Sequence, residues 1–399
     1  MKIRTILIIC AISICYAVSW GQTWKLTETM TAKLDKNVFT VSTTKNAEEM
    51  PDYNWVTLPL WFEERGGIHS VVIADKVTSV GTWAFMHCAN IKTVTLSNSV
   101  TSIGGFGFYN CYNLESVTMS AKLETIAGAA FKLCESLSEI EIPASVSLIG
   151  GEAFLGCKKL KTIRVNADNP DFSSDNSVLY NKNKTILILY SEGKNDAIFE
   201  IPSTVEIIES SAFNNASFDS ISIPNSVQEI RDNAFGLCTN LTSITIPNSV
   251  IRIENHAFTD CTGLITVTIE RANPLALNDS TFRRVSLKSA TLRVPTGRTK
   301  AYQEANVWKD FGKFVEFNFD YSSIEQTRRD GTCPVSAWAH DGILHITGLQ
   351  PGKPFQIFNL AGQYIYKGIA KSEEVQIALP TSGIYVVSAE EQSTKVIVK

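Results

Sequence analysis

Apolar residues recur along most of the chain with a period of 23 residues. Each repeat carries the phrase Ala-Phe-x-x-Cys or a close variant, and the cysteines stand at Cys88, Cys111, Cys134, Cys157, Cys238 and Cys261. A unit of this length cannot bury its apolar face alone, so successive copies must stack on one another. The pattern therefore predicts a solenoid rather than a closed globule, and it places function on a long surface.

Two different apolar spacings occur inside each repeat. The end of a repeat alternates apolar and polar residues, as in Leu241-Thr-Ser-Ile-Thr-Ile246, which is typical of a strand with one buried face. The middle, Ala-Phe-x-x-Cys-x-x-Leu, spaces its apolar residues at three and four and predicts a single helical or 3₁₀ turn. The Ile-Pro-x-Ser phrases that begin at Ile142, Ile223 and Ile246 predict a turn after the strand, because proline lacks an N–H donor. The fold class is therefore mainly β, with short strands and short helical turns.

The repeats predict a stack that needs a cover at each end. About eight repeats lie between Val77 and Pro295, and each adds one strand spacing of roughly 4.8 Å. We expect an N-terminal cap at residues 22–66 and a solenoid over residues 67–320. The last part of the solenoid, residues 296–320, is expected to cover its final turn.

The period breaks once, between Val165 and Val205. The extra residues, about 169–204, contain two alternating runs around an Asn/Lys turn. That arrangement predicts a hairpin that loops out of the stack. Insertions in repeat proteins either contribute to a binding face or are tolerated elaborations of the surface, and both interpretations stay open for this one.

The repeat phrases resemble those of a known family. The runs from Val77 to Cys88 and from Ile246 to Val250 resemble the BspA-like leucine-rich repeats of surface proteins from anaerobic bacteria. The resemblance covers about residues 45–317, although Ala216 and Val285 occupy the cysteine column in two repeats. It implies a leucine-rich-repeat solenoid and a role in adhesion to extracellular-matrix proteins or to other bacteria.

A second, smaller domain follows the repeats. The polar residues 321–332 predict a linker, and the short alternating runs in residues 333–399 predict a small antiparallel β-sandwich. The phrases at residues 358–363, 379–386 and 395–399 resemble the C-terminal sorting domain of type IX secretion. That resemblance implies contact with the secretion machinery and export through the outer membrane. A plain accessory β-sandwich is the alternative.

Residues 1–21 have the layout of a secretory signal peptide. Two basic residues precede an apolar run from Ile6 to Val18, and small residues follow it. The run is shorter than the roughly 20 residues that span a bilayer, which disfavours a membrane anchor. Lipid attachment at Cys10 or Cys15 is a less favoured alternative. The segment predicts a secreted or cell-surface protein at the exterior of the outer membrane, which meets a membrane only through export or surface anchoring.

The charge balance excludes one large class of partner. The chain has 399 residues, with 36 Lys and Arg against 40 Asp and Glu, and a net charge of −4. These charges are scattered, so no basic stripe exists that could release counterions from a phosphate backbone. We expect no nucleic-acid partner.

The cysteines favour a structural interpretation. Seven remain after signal removal, an odd number in a chain expected to be exported. Six of them share one column among apolar neighbours, which predicts a stack of buried free thiols that act as small hydrophobes. Identical positions on successive repeats form a line rather than a tetrahedron, so we expect no metal site.

The histidines give no catalytic pattern. None has a cysteine or serine partner at a hydrolase or metalloprotease spacing, and no glycine-rich loop for phosphate is present. The chain is therefore predicted not to be an enzyme and to need no cofactor. The five histidines are His69, His87, His256, His340 and His345.

The outward positions of the repeat strands carry mostly hydroxyl side chains. The candidate ligand face is Thr93, Thr95, Ser116, Thr118, Glu139, Glu141, Lys161, Arg164, Ser243 and Thr245. Such a surface can recognise a protein or glycan on the host matrix or on other bacteria through many modest contacts, although threonine also simply suits a half-exposed strand. The first hypothesis is an adhesin-like, non-enzymatic binding protein. A structural surface-layer component without a specific ligand is the second, and an enzyme is the third.

Overall fold

A computed structural model shows a β-solenoid of about 11 turns with very little helix, and small antiparallel sheets near the C-terminus. The predicted fold class is confirmed. The structure describes residues 21–194, 196, 198–318, 336–340, 343–347, 349–359, 364–372, 374–379, 383–389 and 392–398. The linker predicted at 321–332 and the signal peptide, apart from Gly21, lie outside the described residues. The chain divides into two compact units between Phe317 and Asn318.

From residue 21 to the break in the repeat, the structure describes twelve strands. They are β1 (Gln22–Lys25), β2 (Met30–Asp35), β3 (Val38–Thr43), β4 (Ser70–Ile73), β5 (Ser79–Val80), β6 (Thr93–Leu96), β7 (Ser102–Ile103), β8 (Ser116–Thr118), β9 (Thr125–Ile126), β10 (Glu139–Ile142), β11 (Leu148–Ile149) and β12 (Thr162–Val165). A 3₁₀ turn, Arg65–Gly67, precedes β4.

Twelve more strands are formed by the described residues of the first unit after the break. They are β13 (Phe172–Asp175), β14 (Val178–Asn181), β15 (Ile186–Tyr190), β16 (Ile198–Glu200), β17 (Ile207–Ile208), β18 (Ser220–Ser222), β19 (Glu229–Ile230), β20 (Ser243–Ile246), β21 (Arg252–Ile253), β22 (Thr266–Ile269), β23 (Thr291–Pro295) and β24 (Lys313–Phe317). The helical elements of this part are α1 (Thr299–Glu304) and the 3₁₀ turns Leu287–Ser289 and Trp308–Asp310.

Each full turn contributes one long strand and, in most turns, one two-residue strand. The long strands pair in parallel, first through β3, β4, β6 and β8, then through β10 and β12, and after the break from β16 to β24. The two-residue strands form ladders of their own, β5-β7-β9-β11 and β17-β19-β21, and the second ladder pairs with the five-residue strand β15 of the insertion. The solenoid has more turns than the eight expected between Val77 and Pro295. The additional turns include those built on β4 and β24, which lie outside that interval.

The Ala-Phe-x-x-Cys segment is a run of tight turns rather than a helical turn. The bonds from Met86 N–H to Trp83 O and from Cys88 N–H to Phe85 O close four-residue turns at 3.3 and 3.2 Å. Trp83 and His87 both have a φ of +61°, a left-handed conformation that cannot continue a helix. Equivalent residues adopt it in the other regular repeats, so the predicted helical turn is corrected to this geometry.

Phenylalanines form the axis of the core. The rings of Phe85 and Phe108 stack with centroids 5.2 Å apart, and those of Phe131 and Phe154 stack at 5.7 Å. A second stack starts after the break, where Phe213 and Phe235 lie 5.1 Å apart. Stacked identical rings bury a large apolar area in each turn, so the period of the sequence becomes a continuous core.

The insertion lies inside the stack, and the prediction that it loops out was wrong. β14 and β15 form the predicted antiparallel hairpin, but β15 also pairs in parallel with β17. Tyr190 takes the phenylalanine position of a turn, because its N–H donates to Ala212 O at 2.8 Å. Val178 and Tyr180 belong to the core that follows the break, whereas Leu179 belongs to the core that precedes it. The strand β14 therefore separates two cores, since neighbouring residues of a strand point to opposite faces.

A tryptophan closes each end of the aromatic stack. The fully buried Trp61 lies 5.8 Å from Phe85, and its indole N–H donates to Ala84 O at 3.1 Å. Trp308 lies 6.1 Å from Phe282 and donates to Leu275 O at 2.8 Å.

The described residues of the second unit form seven strands in two antiparallel sheets. They are β25 (Ser336–His340), β26 (Ile343–Thr347), β27 (Pro354–Asn359), β28 (Tyr364–Ile369), β29 (Glu374–Ala378), β30 (Gly383–Ala389) and β31 (Gln392–Val398). One sheet has the order β25-β26-β29 and the other β28-β27-β30-β31. Leu344 and Ile346 from the first sheet share one core with Phe355 and Ile357 from the second.

Candidate functional site

The long strands place their polar residues in straight rows, which we call the strand face. Thr93 pairs with Ser116 and Thr95 with Thr118, each one turn apart. After the break, Ser243 pairs with Thr266 and Thr245 with Thr268 in the same way. Parallel pairing in register leaves side chains of the same type adjacent from turn to turn. The strand face is therefore a ladder of hydroxyl groups above a buried row of Val, Ile and Leu.

The centre of the strand face carries its charges. Glu139 pairs with Thr162 and Glu141 with Arg164 across β10 and β12. The Arg164 guanidinium also reaches Glu139 diagonally, with Nη2 3.1 Å from Oε2. Both side chains are more than half exposed, so this ion pair contributes about 0–1 kcal/mol to stability. Its charges remain available to a partner.

Lys161 does not belong to the strand face. It precedes β12, and the residue in register with Glu139 is Thr162. Lys161 stands one residue before the start of the alternation in β12, and a shift of one residue moves a side chain to the other face of a strand. The structure therefore replaces Lys161 with Thr162.

The two halves of the strand face differ in exposure. Thr93, Thr95, Ser116, Thr118, Glu139, Glu141 and Arg164 are exposed, as is Lys161 outside the ladder. Ser243 and Thr245 are half-buried, and Thr268 is 8% exposed. The first half is consequently the more accessible binding surface.

The six repeat cysteines form a buried column of free thiols. The Cys111 thiol donates to Phe85 O at 3.2 Å, and the Cys134 thiol donates to Phe108 O at 3.2 Å, each one turn back. Burial raises the pKa of both Cys88 and Cys134 to about 12. These thiols are therefore protonated at neutral pH and poor nucleophiles.

His87 and His256 make structural contacts. His87 Nδ1 lies 2.6 Å from Asn110 Nδ2, and burial, followed by the charge of Arg65, lowers the pKa of His87. His256 Nδ1 lies 3.4 Å from Asp232 Oδ1. Among the described residues, no three His, Cys, Asp or Glu side chains cluster as ligands for a metal ion. No catalytic arrangement is evident in the same residues.

The structure shows an exposed aromatic patch that was not predicted from the sequence. Trp55 is 73% exposed and meets Trp83 edge to face, with centroids 4.3 Å apart. Phe106 extends the patch, 5.7 Å from Trp83. Trp83 and Phe106 occupy the same turn position in consecutive repeats, where other repeats have Ala129, Glu152 or Ser211. That substitution of aromatic for small or polar residues was the signal that could have found it.

Comparison with known families agrees with the observed geometry. The model for the BspA type leucine-rich repeat region matches the chain in six copies, over residues 61–184 and 191–306. The chain belongs to this family. Leucine-rich repeat proteins of this bacterial surface type generally bind proteins, and the repeat is typically a non-enzymatic scaffold.

One solved structure shows the same fold, and two others give weaker matches. A leucine-rich repeat protein from Eubacterium ventriosum is 27% identical with a TM-score of 0.57, and the match covers 69% of this chain and 78% of that one. The pneumococcal vaccine antigen PcpA is 17% identical with a TM-score of 0.48, covering 74% and 98%. A leucine-rich cell surface protein from Faecalibacterium prausnitzii is 21% identical with a TM-score of 0.40, covering 78% and 99%.

Curated proteins give no match. In the described part of the chain, no helix has the length and apolar character required to cross a bilayer.

Proposed function

We propose that this protein is an adhesin-like, non-enzymatic protein that is exported and binds its partner through the strand face. The observation that carries the proposal is the ladder of exposed hydroxyl groups from Thr93 to Thr118. Beside it, at the centre of the strand face, lie the charged residues Glu139, Glu141 and Arg164. A rigid row of repeated donors and acceptors suits a partner that is contacted at many points, such as a matrix protein or the surface of another bacterium. Family membership supports protein binding, and the signal-peptide pattern supports export.

Substitutions on the strand face test the binding proposal. The double variant Thr95→Arg/Thr118→Arg places two bulky cations on adjacent turns of the same row. The control Thr239→Arg/Thr262→Arg makes the same change at exposed turn residues. We expect the face variant to lose at least tenfold in affinity for immobilised matrix proteins or bacterial cells, and the control to bind like the wild type. Equal binding by both variants would contradict the strand face as the binding site.

We also propose that the second unit serves as a sorting domain for type IX secretion, as its sequence phrases imply. The test is the intact mass of the native protein and its protease accessibility on whole cells and in the medium. Extracellular protein without its first 20 or so residues, with the region after Tyr321 removed or modified, is the expected result. Intact protein that is protected inside the envelope would contradict export.

A further inference from the structure

The break in the repeat leaves one turn without a neighbour on part of its surface. In the preceding turn, Ala129 N–H donates to Gly151 O at 3.0 Å, and Phe131 N–H donates to Ala153 O at 2.8 Å. The corresponding donors one turn later are Glu152 and Phe154. Neither N–H has a hydrogen-bond partner within the described residues. The ladder of turns therefore ends in two unpaired donors that lie two residues apart.

The insertion covers only the far end of this turn. Gly156 N–H, the next donor of the row, is accepted by the Glu192 carboxylate at 2.5 Å. Gly193 N–H then donates to Leu160 O at 2.8 Å. The insertion thus contacts residues 156–160 closely, whereas residues 149–155 border an open space.

That space is an apolar cavity of about 410 Å³. Its walls are mostly aliphatic and aromatic and come from both sides of the break, including Phe154, Phe172, Leu179, Ile188 and Leu189. Glu152 and Phe154, which carry the two unpaired donors, also line it. This volume falls within the range of about 300–1,000 Å³ that is usual for ligand pockets.

The charges at the rim restrict the ligand. Glu152 is paired with Lys132 at 2.6 Å, and Glu209 with Arg231 at 2.5 Å. Because both carboxylates already have cationic partners, the rim does not require another cation, and it disfavours an anion. The ligand that matches the two free donors and the apolar walls is a neutral hydrogen-bond acceptor attached to an apolar group.

The other turns show what such an acceptor looks like. Over most turns lies a peptide segment that presents backbone carbonyls two residues apart, as Gly151 and Ala153 do, followed by a buried phenylalanine. An added peptide segment can pair with open backbone groups in this way while its side chains fill adjacent pockets. We propose that the cavity is a second binding site, separate from the strand face, for a neutral peptide segment of a partner protein that completes the interrupted ladder with two carbonyls and an apolar side chain.

The test uses the peptide Ac-Gly-Ser-Ala-Phe-Leu-NH₂ and the full mature chain. We expect the peptide to bind and to shift the amide signals of Glu152 and Phe154 in a ¹H–¹⁵N NMR spectrum. The variant Ile188→Trp fills the cavity and should weaken binding at least tenfold. The matched control Ile251→Trp changes an exposed residue of the same type, 61% exposed, and should bind like the wild type.

Three results would overturn the proposal. They are no binding at millimolar peptide, unmoved amide signals of Glu152 and Phe154 in the wild type, and equal binding of toluene, which lacks a carbonyl. The second readout needs no substitution, so it remains decisive if Ile188→Trp fails to fold. The variant Thr95→Arg/Thr118→Arg should keep its peptide affinity, which separates this site from the strand face.

Discussion

Single side chains replace backbone groups at some of the points where the regular ladder stops. Trp61 supplies an N–H to Ala84 O at the N-terminal end, and the Glu192 carboxylate supplies an acceptor to Gly156 N–H at the break. The fully buried Asn169 donates to Pro143 O and Val146 O, at 2.8 and 2.9 Å, and accepts from two backbone N–H groups. Trp61 and Glu192 satisfy groups that a missing turn would have paired, because buried polar groups without partners are costly. Asn169 binds a carbonyl whose equivalent in a regular turn is bound by the Ser145 hydroxyl.

At Glu192, the acceptor matters more than the charge. Glu192→Leu leaves Gly156 N–H without a partner and should cost about 1–3 kcal/mol of the free energy of unfolding. Glu192→Gln keeps an acceptor oxygen and should cost less at neutral pH. Urea unfolding of the three proteins at pH 7 measures both effects, and a larger loss for glutamine than for leucine would contradict this role.

The difference in stability between the wild type and Glu192→Gln should depend on pH. Burial raises the pKa of Glu192 above its usual value, so the folded wild type binds this proton more tightly than the unfolded chain. The stability of the wild type relative to Glu192→Gln should therefore fall as the pH rises from about 4 toward neutrality. Urea midpoints across this interval test the sign, and a rising difference would contradict it.

The repeat cysteines should be unreactive in the folded protein. Because all six are buried and burial raises the pKa of thiols such as Cys88, a thiol reagent at pH 8 should label none of them before urea is added and all of them afterwards. Cys333→Ser removes the remaining thiol of the mature chain. Rapid labelling of the native variant, or a mass that shows a disulfide, would contradict the buried column.

Among the elements, the N-terminal cap depends on one carboxylate. Glu48 accepts hydrogen bonds from Thr27 at 2.7 Å, from Thr29 and from Thr43, and it contacts Lys45 at 3.4 Å. Hydrogen bonding, with the bond from Thr43 the largest cause, lowers the pKa of Glu48 to about 2. The carboxylate thereby joins the hairpin β2–β3 to the chain that follows it.

Acid should loosen this cap before the rest of the solenoid. A depressed pKa in the folded state stabilises the protein above the unfolded value of about 4.3, and this contribution is lost as the pH falls toward 2. Glu48→Gln should therefore flatten the acid dependence of tryptophan fluorescence from Trp24 and Trp61. The control Glu28→Gln changes an exposed residue in the same cap and should retain the wild-type curve. Identical curves for all three proteins would contradict the role of Glu48.

For the whole molecule, the break divides the solenoid into two cores that meet at β14. Contacts in repeat proteins are between neighbours, so a loss in one stack should be felt mainly within that stack. Phe108→Ala should cost about 3–5 kcal/mol in the first core, and Phe235→Ala a similar amount in the second. Hydrogen exchange resolved by residue should show each loss confined to its own core, and equal loss of protection in both cores for either variant would contradict the division.

The sequence period was sufficient to predict the solenoid, its strands and its stacked core, because a repeated apolar pattern has one way to be buried. It did not reveal the left-handed residues, since Trp83, His87 and Phe106 are not the glycines that usually mark positive φ. The period also did not place the insertion within the stack. Tyr190, which takes the phenylalanine position of the next turn, lies 36 residues after Phe154 instead of the usual 23. The strand face was predictable from alternation except at Lys161, where the start of β12 decided the register.

The capping tryptophans leave the number of turns free to change. Trp61 binds the carbonyl of Ala84, and the residue before the phenylalanine offers the same group in other turns, as at Gly107, Ala130 and Ala153. An in-frame duplication or deletion of one repeat would present each cap with an unchanged surface. The array can therefore grow or shrink by recombination between its own repeats, and the reach of the strand face becomes a property that selection can adjust in single steps.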